Sequence, residues 1–276
     1  PARPAMPDSS DLLHERLRRW LRALGQSFLL WCSGWWQVLF TGAQLVVLAF
    51  SPSSYHGQGG GAVLLHIYAA AGSGLAGFTA LMALFNVVVI RIVVVTAFAY
   101  GLSQYALNMV VRVLVLELVP LIAALFVAIN YSVPGGSELY KLRKSGALQE
   151  MRQQGIFPLE REVLPRVLAG MFAVIMLAAV SCTLSLGLTY LAVHGFTLAG
   201  ISSYNRAVGH IFSPVVLMIF VLKTGLFAFA VALLPVGNAL RDIPRRARTS
   251  VELQGLVQMC ALMLLIEIAS LVGNYY

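Results

Sequence analysis

The chain has 276 residues, of which 59% are hydrophobic and 11% charged, and its mean hydropathy is +0.83. Soluble domains carry roughly 25% charged residues, so this balance excludes an ordinary soluble protein. The formal charge of +8 is therefore read first as a question of which membrane face the basic residues occupy, before nucleic acid is considered.

Residues 1–10 read as an unstructured leader. Asp11 to Leu24 has the spacing of a basic amphipathic helix, with Leu12, Leu13, Leu17, Leu21 and Leu24 opposite Arg16, Arg18, Arg19 and Arg22. Ser27 to Phe50 is apolar and holds Trp31, Trp35 and Trp36, a residue of membrane interfaces. Its length, and the lack of a small-residue cleavage site, argue against a cleavable signal. Residues 51–61 form a loop. Long apolar runs then predict spans over 62–90, 104–133, 163–190, 210–234 and 251–272. Shorter connections fall at 91–103, 191–209 and 235–250. Alternating ten-residue segments, which a membrane barrel requires, are absent. The fold class is an all-α polytopic membrane protein. Residues 1–61 form an N-terminal interfacial region and 62–276 a five-span domain.

The charged stretch between the second and third spans is the most informative. Pro134-Gly135-Gly136 reads as the end of an apolar run, and an amphipathic helix is predicted over 138–157. Glu138 opens it. Leu139, Leu142, Leu148 and Met151 share one face, and Gly155 and Pro158 stop it. Such a helix suits docking of a soluble partner; a solvated connector is the plainer alternative.

Basic residues orient the spans. Of the nineteen Lys and Arg, five precede residue 26, six lie in 134–166 and four in 235–250. The positive-inside rule places all three groups in the cytoplasm. The first two groups are then separated by an even number of crossings, so Ser27–Phe50 enters the membrane without crossing it. The N-terminus lies inside and the C-terminus outside.

Three ionisable residues fall within spans: Glu117, Lys223 and Glu267. A charge at mid-bilayer costs about 3 kcal/mol on insertion scales, so these must pair or face a wet cavity. Two readings stay open: a polar cluster on a transport path, or a structural ion pair between spans. Arg112 either snorkels or pairs, and Arg91 and Arg206 read as outer-surface residues. Phe78, Leu81, Phe85 and Leu264 would either line an acyl-chain cavity or pack helices. Cys32, Cys182 and Cys260 read as small core residues, and the five histidines lack metal-ligand spacing. Gly57 to Gly61 is glycine-rich without the Lys-Ser/Thr of a phosphate loop, so ATP hydrolysis in this chain is not expected.

Glu117-Leu118-Val119-Pro120, Ala124-Leu125-Phe126-Val127-Ala128, Ser137-Glu138-Leu139-Tyr140, Gly155-Ile156-Phe157-Pro158 and Pro165-Arg166-Val167-Leu168-Ala169 follow one another in register. This series resembles the signature of the MlaE (YrbE) permeases of MCE-linked ABC phospholipid transporters. Leu222-Lys223-Thr224 and Arg246-Ala247-Arg248-Thr249 resemble later motifs of the same family, and the likeness covers about residues 65–275. The resemblance implies a dimer of five-span permeases with an embedded N-terminal helix. It implies an ABC ATPase, holding ATP and Mg, docked on the 138–157 coupling helix. It also implies a periplasmic MCE-domain carrier, in some members a STAS-domain protein, and phospholipid as cargo at the bacterial inner membrane.

The chain departs from the family pattern in several places. Gly146, Gln149 and Glu150 replace the acidic coupling-helix pattern, Ile129-Asn130 replaces a Gly-Arg pair, and Leu116 and Ser73 replace arginines. A second, different permease, or an ATPase with matching changes, would accommodate this. A secondary transporter or channel, and a membrane-bound lipid enzyme, are the competing classes. Neither the paired broken helices of the first nor the clustered His, Asp or Ser of the second is evident.

Overall fold

The computed structural model of the chain describes residues 36, 40–49, 59–240 and 248–275. The basic helix expected over Asp11–Leu24 and residues 241–247 of the basic segment 235–250 lie outside them. The described residues are helical throughout, without strands, and five helices are long and apolar enough to cross a membrane. We label the helices in chain order: α1 Phe40–Ala49, α2 Val63–Ala99, α3 Tyr105–Lys144, α4 Ala147–Gln153, α5 Leu159–His194, α6 Ile201–Ile211, α7 Pro214–Ala239 and α8 Arg248–Tyr275.

The spans are longer than expected. Helix α2 runs nine residues past Ile90, because Arg91 to Ala99 contains no Gly or Pro to stop it. Helix α3 runs through Pro134-Gly135-Gly136, where a break was expected, as far as Lys144. The reason is local. Ala128–Ser132 is π-helical, and Pro134 stands in the first turn of the α-helical stretch that follows. A π-turn widens the backbone and shifts its hydrogen-bond register, so a proline at its exit breaks no rung. A second π segment, Val111–Leu118, lies higher in the same helix. Helices α2 and α5 carry π-turns at Tyr68–Gly72 and Leu159–Val163.

The expected polar loop 191–209 is largely helical. Helix α5 continues to His194, and α6 follows with Tyr204 and Ile211 buried. Its apolar residues Ile201, Tyr204, Val208 and Ile211 have helical spacing, which the polar residues between them obscured. Helix α7 starts at Pro214, four residues later than expected, where Ser213 Oγ accepts from the Val216 amide at 3.4 Å.

The core lies where α3, α5 and α7 meet. Ala123, Ala124 and Val127 of α3, Ala173, Val174 and Leu177 of α5, and Phe227, Val231 and Leu234 of α7 are fully buried together. Small residues let the helices approach closely, which is how helices pack in lipid. Helix α2 packs on α5, and α8 on α7. Leu84, Ile92, Leu222 and Leu265 point outward and form the apolar exterior that a bilayer requires. Helix α1 falls within the apolar stretch Ser27–Phe50. It lies on α7, with Leu45 buried and Gly42 against Leu233 and Phe229.

Candidate functional site

Two places gather the residues singled out in the sequence. The first is a buried ionic cluster. The π segment of α3 holds Glu117, and the Leu116 carbonyl beside it accepts a hydrogen bond from outside the helix. Helix α7 brings Lys223, 2% exposed, opposite them. Lys223 Nζ donates to Glu117 Oε2, to the Leu116 carbonyl at 3.3 Å, and pairs with Glu267 Oε2 of α8 at 2.9 Å. The ammonium thus has two hydrogen-bond acceptors on α3 and a second carboxylate, Glu267, held as an ion pair. The ammonium also stands 5.8 Å from the centre of the Phe227 ring, one turn along α7. The structure therefore joins Glu117, Lys223 and Glu267 into one site rather than a single pair.

A fourth member was missed. Asn274 Nδ2 donates to Glu117 Oε1 at 3.2 Å. The signal was present: Glu267, Ser270 and Asn274 lie at i, i+3 and i+7, one face of a helix. A second polar seam was also missed. Asn86 of α2 donates to Ser185 Oγ at 2.6 Å, and Ser181, Ser185 and Thr189 of α5 are all buried beside it. Their i, i+4, i+8 spacing marks one inward face of α5. Other expectations divide. Phe78 is buried against Phe126, with ring centres 4.5 Å apart, and Phe85 packs on the core, whereas Leu81 and Leu264 face outward. Arg112 Nε donates to Asn108 Oδ1 at 3.1 Å, which is the pairing reading. Cys182 is half-buried, with Sγ 3.7 Å from the Val115 carbonyl. Cys260 was expected in the core but is exposed on α8, because it follows the inward-facing Met259. Cys32 lies outside the described residues.

The second place is the segment expected as one helix over 138–157. It is a bent hairpin made from the end of α3, a turn at Ser145–Gly146, and α4. Gly146 has φ +82 and Gly155 has φ +76, left-handed values that favour glycine, and these two residues bound α4. Leu139 is fully buried and Leu148 is half-buried against the core; Leu142 and Met151 are half-buried, and the turn at Gly146 means that the four do not share the face of one helix. Pro158 is buried and caps the first turn of α5. Phe157, which the sequence reading passed over as a docking residue, is 71% exposed beside them. Lys141, Lys144, Arg152 and Arg161 are exposed on the same stretch of chain.

A clasp ties the hairpin to α5. Arg166 Nη1 donates to Glu162 Oε2 at 2.8 Å and to the Glu162 carbonyl at 3.2 Å, while its Nη2 is 3.9 Å from Glu138 Oε2. Glu138 thus faces Arg166 as well as solvent. Beside the clasp, Tyr131 Oη and His66 Nδ1 are 3.3 Å apart.

At the end of the bundle away from the hairpin, Tyr204 of α6 donates to the Leu186 carbonyl at 2.8 Å and meets the rings of Tyr190 and His194. Burial pushes its phenol up to about 12.

A comparison with curated proteins gives no match for the chain. The family described as Permease MlaE matches residues 63–272, the whole length from the first span to the last. With the five spans, the exposed hairpin and the motif series in register, the chain belongs to the MlaE permease family, the membrane permeases of ABC-type lipid transport.

Proposed function

We propose that the chain is the transmembrane subunit of an ABC transporter that moves phospholipid or a related lipid between the inner membrane and a periplasmic MCE carrier. A separate ATPase binds ATP and Mg and supplies the energy; this chain is a non-catalytic permease. The observation that carries the reading is the exposed hairpin between two spans in a chain of the MlaE permease family. A helical hairpin held by its apolar face, with an aromatic knob and basic rim left in water, suits a groove on a soluble motor. The N-terminus and hairpin then lie in the cytoplasm, and α6 and the C-terminal end of α8 lie on the periplasmic side. A second permease, identical or different, completes a dimer, and a STAS-domain protein is a further candidate partner.

In this reading ATP-driven closure of the motor displaces the hairpin. The Lys223 cluster, bridging α3, α7 and α8, is where relative movement of those helices breaks or remakes ion pairs along the lipid path. The test is purification of the complex from native membranes in mild detergent, followed by reconstitution with labelled lipid. An ATPase chain is expected to come with the permease, and lipid transfer is expected to require ATP. A permease that is stable and active with no ATPase attached would sink the proposal.

A further inference from the structure

We propose that the backbone contact between Gly136 of α3 and Pro235 of α7 is where movement of the hairpin enters the helix that carries Lys223. Gly136 and Pro235 are then positioning residues for transport. This rests on the proposed function, in which an ATPase grips the hairpin.

Gly136 lies one turn before Leu139, at the base of the hairpin. A methyl group there would stand 2.9 Å from the Pro235 carbonyl oxygen, 3.0 Å from Pro235 Cβ and 3.1 Å from its carbonyl carbon. Glycine alone permits this approach, because the atoms in the way are largely backbone. One turn away, at Ser132 and Ala232, the packing is of the same kind. A methyl on Gly170 of α5 would stand 3.2 Å from Ala232 Cβ and 3.5 Å from Ser132 Oγ. Three helices therefore meet beneath the hairpin through Ser132, Gly136, Gly170 and Ala232, with no long side chain between them. Long side chains absorb a displacement by changing rotamer; two backbones in contact pass it on.

Helix α7 is built to receive it. Pro235 stands inside the helix and has no N–H for the Val231 carbonyl, so α7 lacks one rung there. A helix bends most readily at such a point. From Pro235 back to Lys223 the helix is unbroken over about 18 Å. Lys223 is hydrogen-bonded to Glu117 on α3 and ion-paired with Glu267 on α8. Pressure of the hairpin base on Pro235 tilts α7 and changes the hold of Lys223 on its two carboxylates. The clasp of Arg166 with Glu138 keeps α5 in step with the hairpin base during this movement.

The test uses the whole complex, with its ATPase, in lipid vesicles. Gly136→Ala wedges α3 from α7. It is expected to leave ATPase binding and ATP turnover near wild type while lipid moved per ATP falls about tenfold, an ordinary size for coupling between sites. Gly135→Ala is the control. It makes the same Gly-to-Ala change in the same helix, but nothing lies within 4 Å of the added methyl, and coupling is expected to stay intact. A merely structural contact would lower binding, turnover and transport together. Wild-type lipid transfer per ATP in Gly136→Ala would overturn the proposal. Should Gly136→Ala fail to fold, paired spin labels at Ser145 and Leu240 decide. Their separation is expected to hold through the ATP cycle while both move relative to a label at Tyr100, and a changing separation would overturn the contact's role. Absence of an ATPase from the wild-type complex would strike the underlying reading of the hairpin, and this role with it.

Discussion

Lys223 is the residue on which the buried cluster turns. Its removal leaves two carboxylates facing each other in a low-dielectric setting, a loss of about 3–5 kcal/mol in comparable buried pairs. Lys223→Met is therefore expected to lower the melting temperature in detergent and to abolish lipid transfer. Neutralising the whole cluster, with Lys223→Met, Glu117→Gln and Glu267→Gln together, is expected to recover most of the stability. If the cluster lies on the lipid path, transfer stays lost in that triple variant. Transfer at the wild-type level would reduce the cluster to a structural ion pair. Tyr204 gives a second prediction. Its phenol is pushed up from 10.0 to about 12 by burial, so the folded state holds that proton more tightly than the unfolded chain. Its contribution to stability is complete below about pH 10 and fades as pH rises toward 12. Ultraviolet titration should show Tyr204 ionising late, and Tyr204→Phe should lower the amplitude of the late phase by one tyrosine and cost about 1 kcal/mol. At this scale the sequence was partly legible. Charged residues inside apolar runs announce themselves by rarity. Asn274, Asn86 and Ser185 do not, because small polar residues are common in spans and only their partners make them part of a site.

The hairpin shows what sequence punctuation can and cannot say about an element. Its stop at Gly155 was readable, since a left-handed glycine is a local property, whereas the single apolar face over 138–157 is divided by the turn at Gly146. Two features were not. Pro134-Gly135-Gly136 reads as a break only if the preceding helix is a regular α-helix, and the π-turn at Ala128–Ser132 removes that premise. Gly146 reads as an ordinary helix residue, yet at φ +82 it turns one predicted helix into two. Gly146→Ala forces a side chain into the left-handed region at about 1 kcal/mol, which should weaken ATPase binding several-fold in a titration without changing the spans. The docking face gives a sharper prediction. Lys141→Glu with Lys144→Glu should slow ATPase association and make it less salt-dependent, whereas Phe157→Ala should speed dissociation. Equal kinetics for the charge-reversed, Phe157→Ala and wild-type proteins would place the docking surface elsewhere.

For the whole molecule, the count of five crossings and the side of the hairpin make one joint expectation. A single cysteine at Ser145, in a chain lacking Cys32, Cys182 and Cys260, should react with an impermeant maleimide only when the cytoplasmic face is open. One at Ser203 on α6 should react in intact cells. Reaction of Ser145 from outside would invert the arrangement. The number of spans was legible because crossing a bilayer demands about 20 apolar residues, a requirement no packing detail can hide. Where each span ends was not, since α2 and α3 keep helical order well beyond the hydrocarbon thickness. The two π segments of α3 have a consequence for mutation at large. Each holds a surplus residue relative to a regular helix, and together they fix the azimuth at which Glu117 looks toward α7 above and Gly136 looks toward it below. Deleting one valine between Val111 and Leu118 would let the wide turn close to a regular helix, so the lower half of α3 keeps its azimuth while residues inside the turn change direction. Such a deletion removes no charge and no hydrogen-bonding side chain. It is expected to spare the packing of Gly136 against α7 and to disturb the packing of the turn itself, which separates the two ends of one helix as no single substitution would.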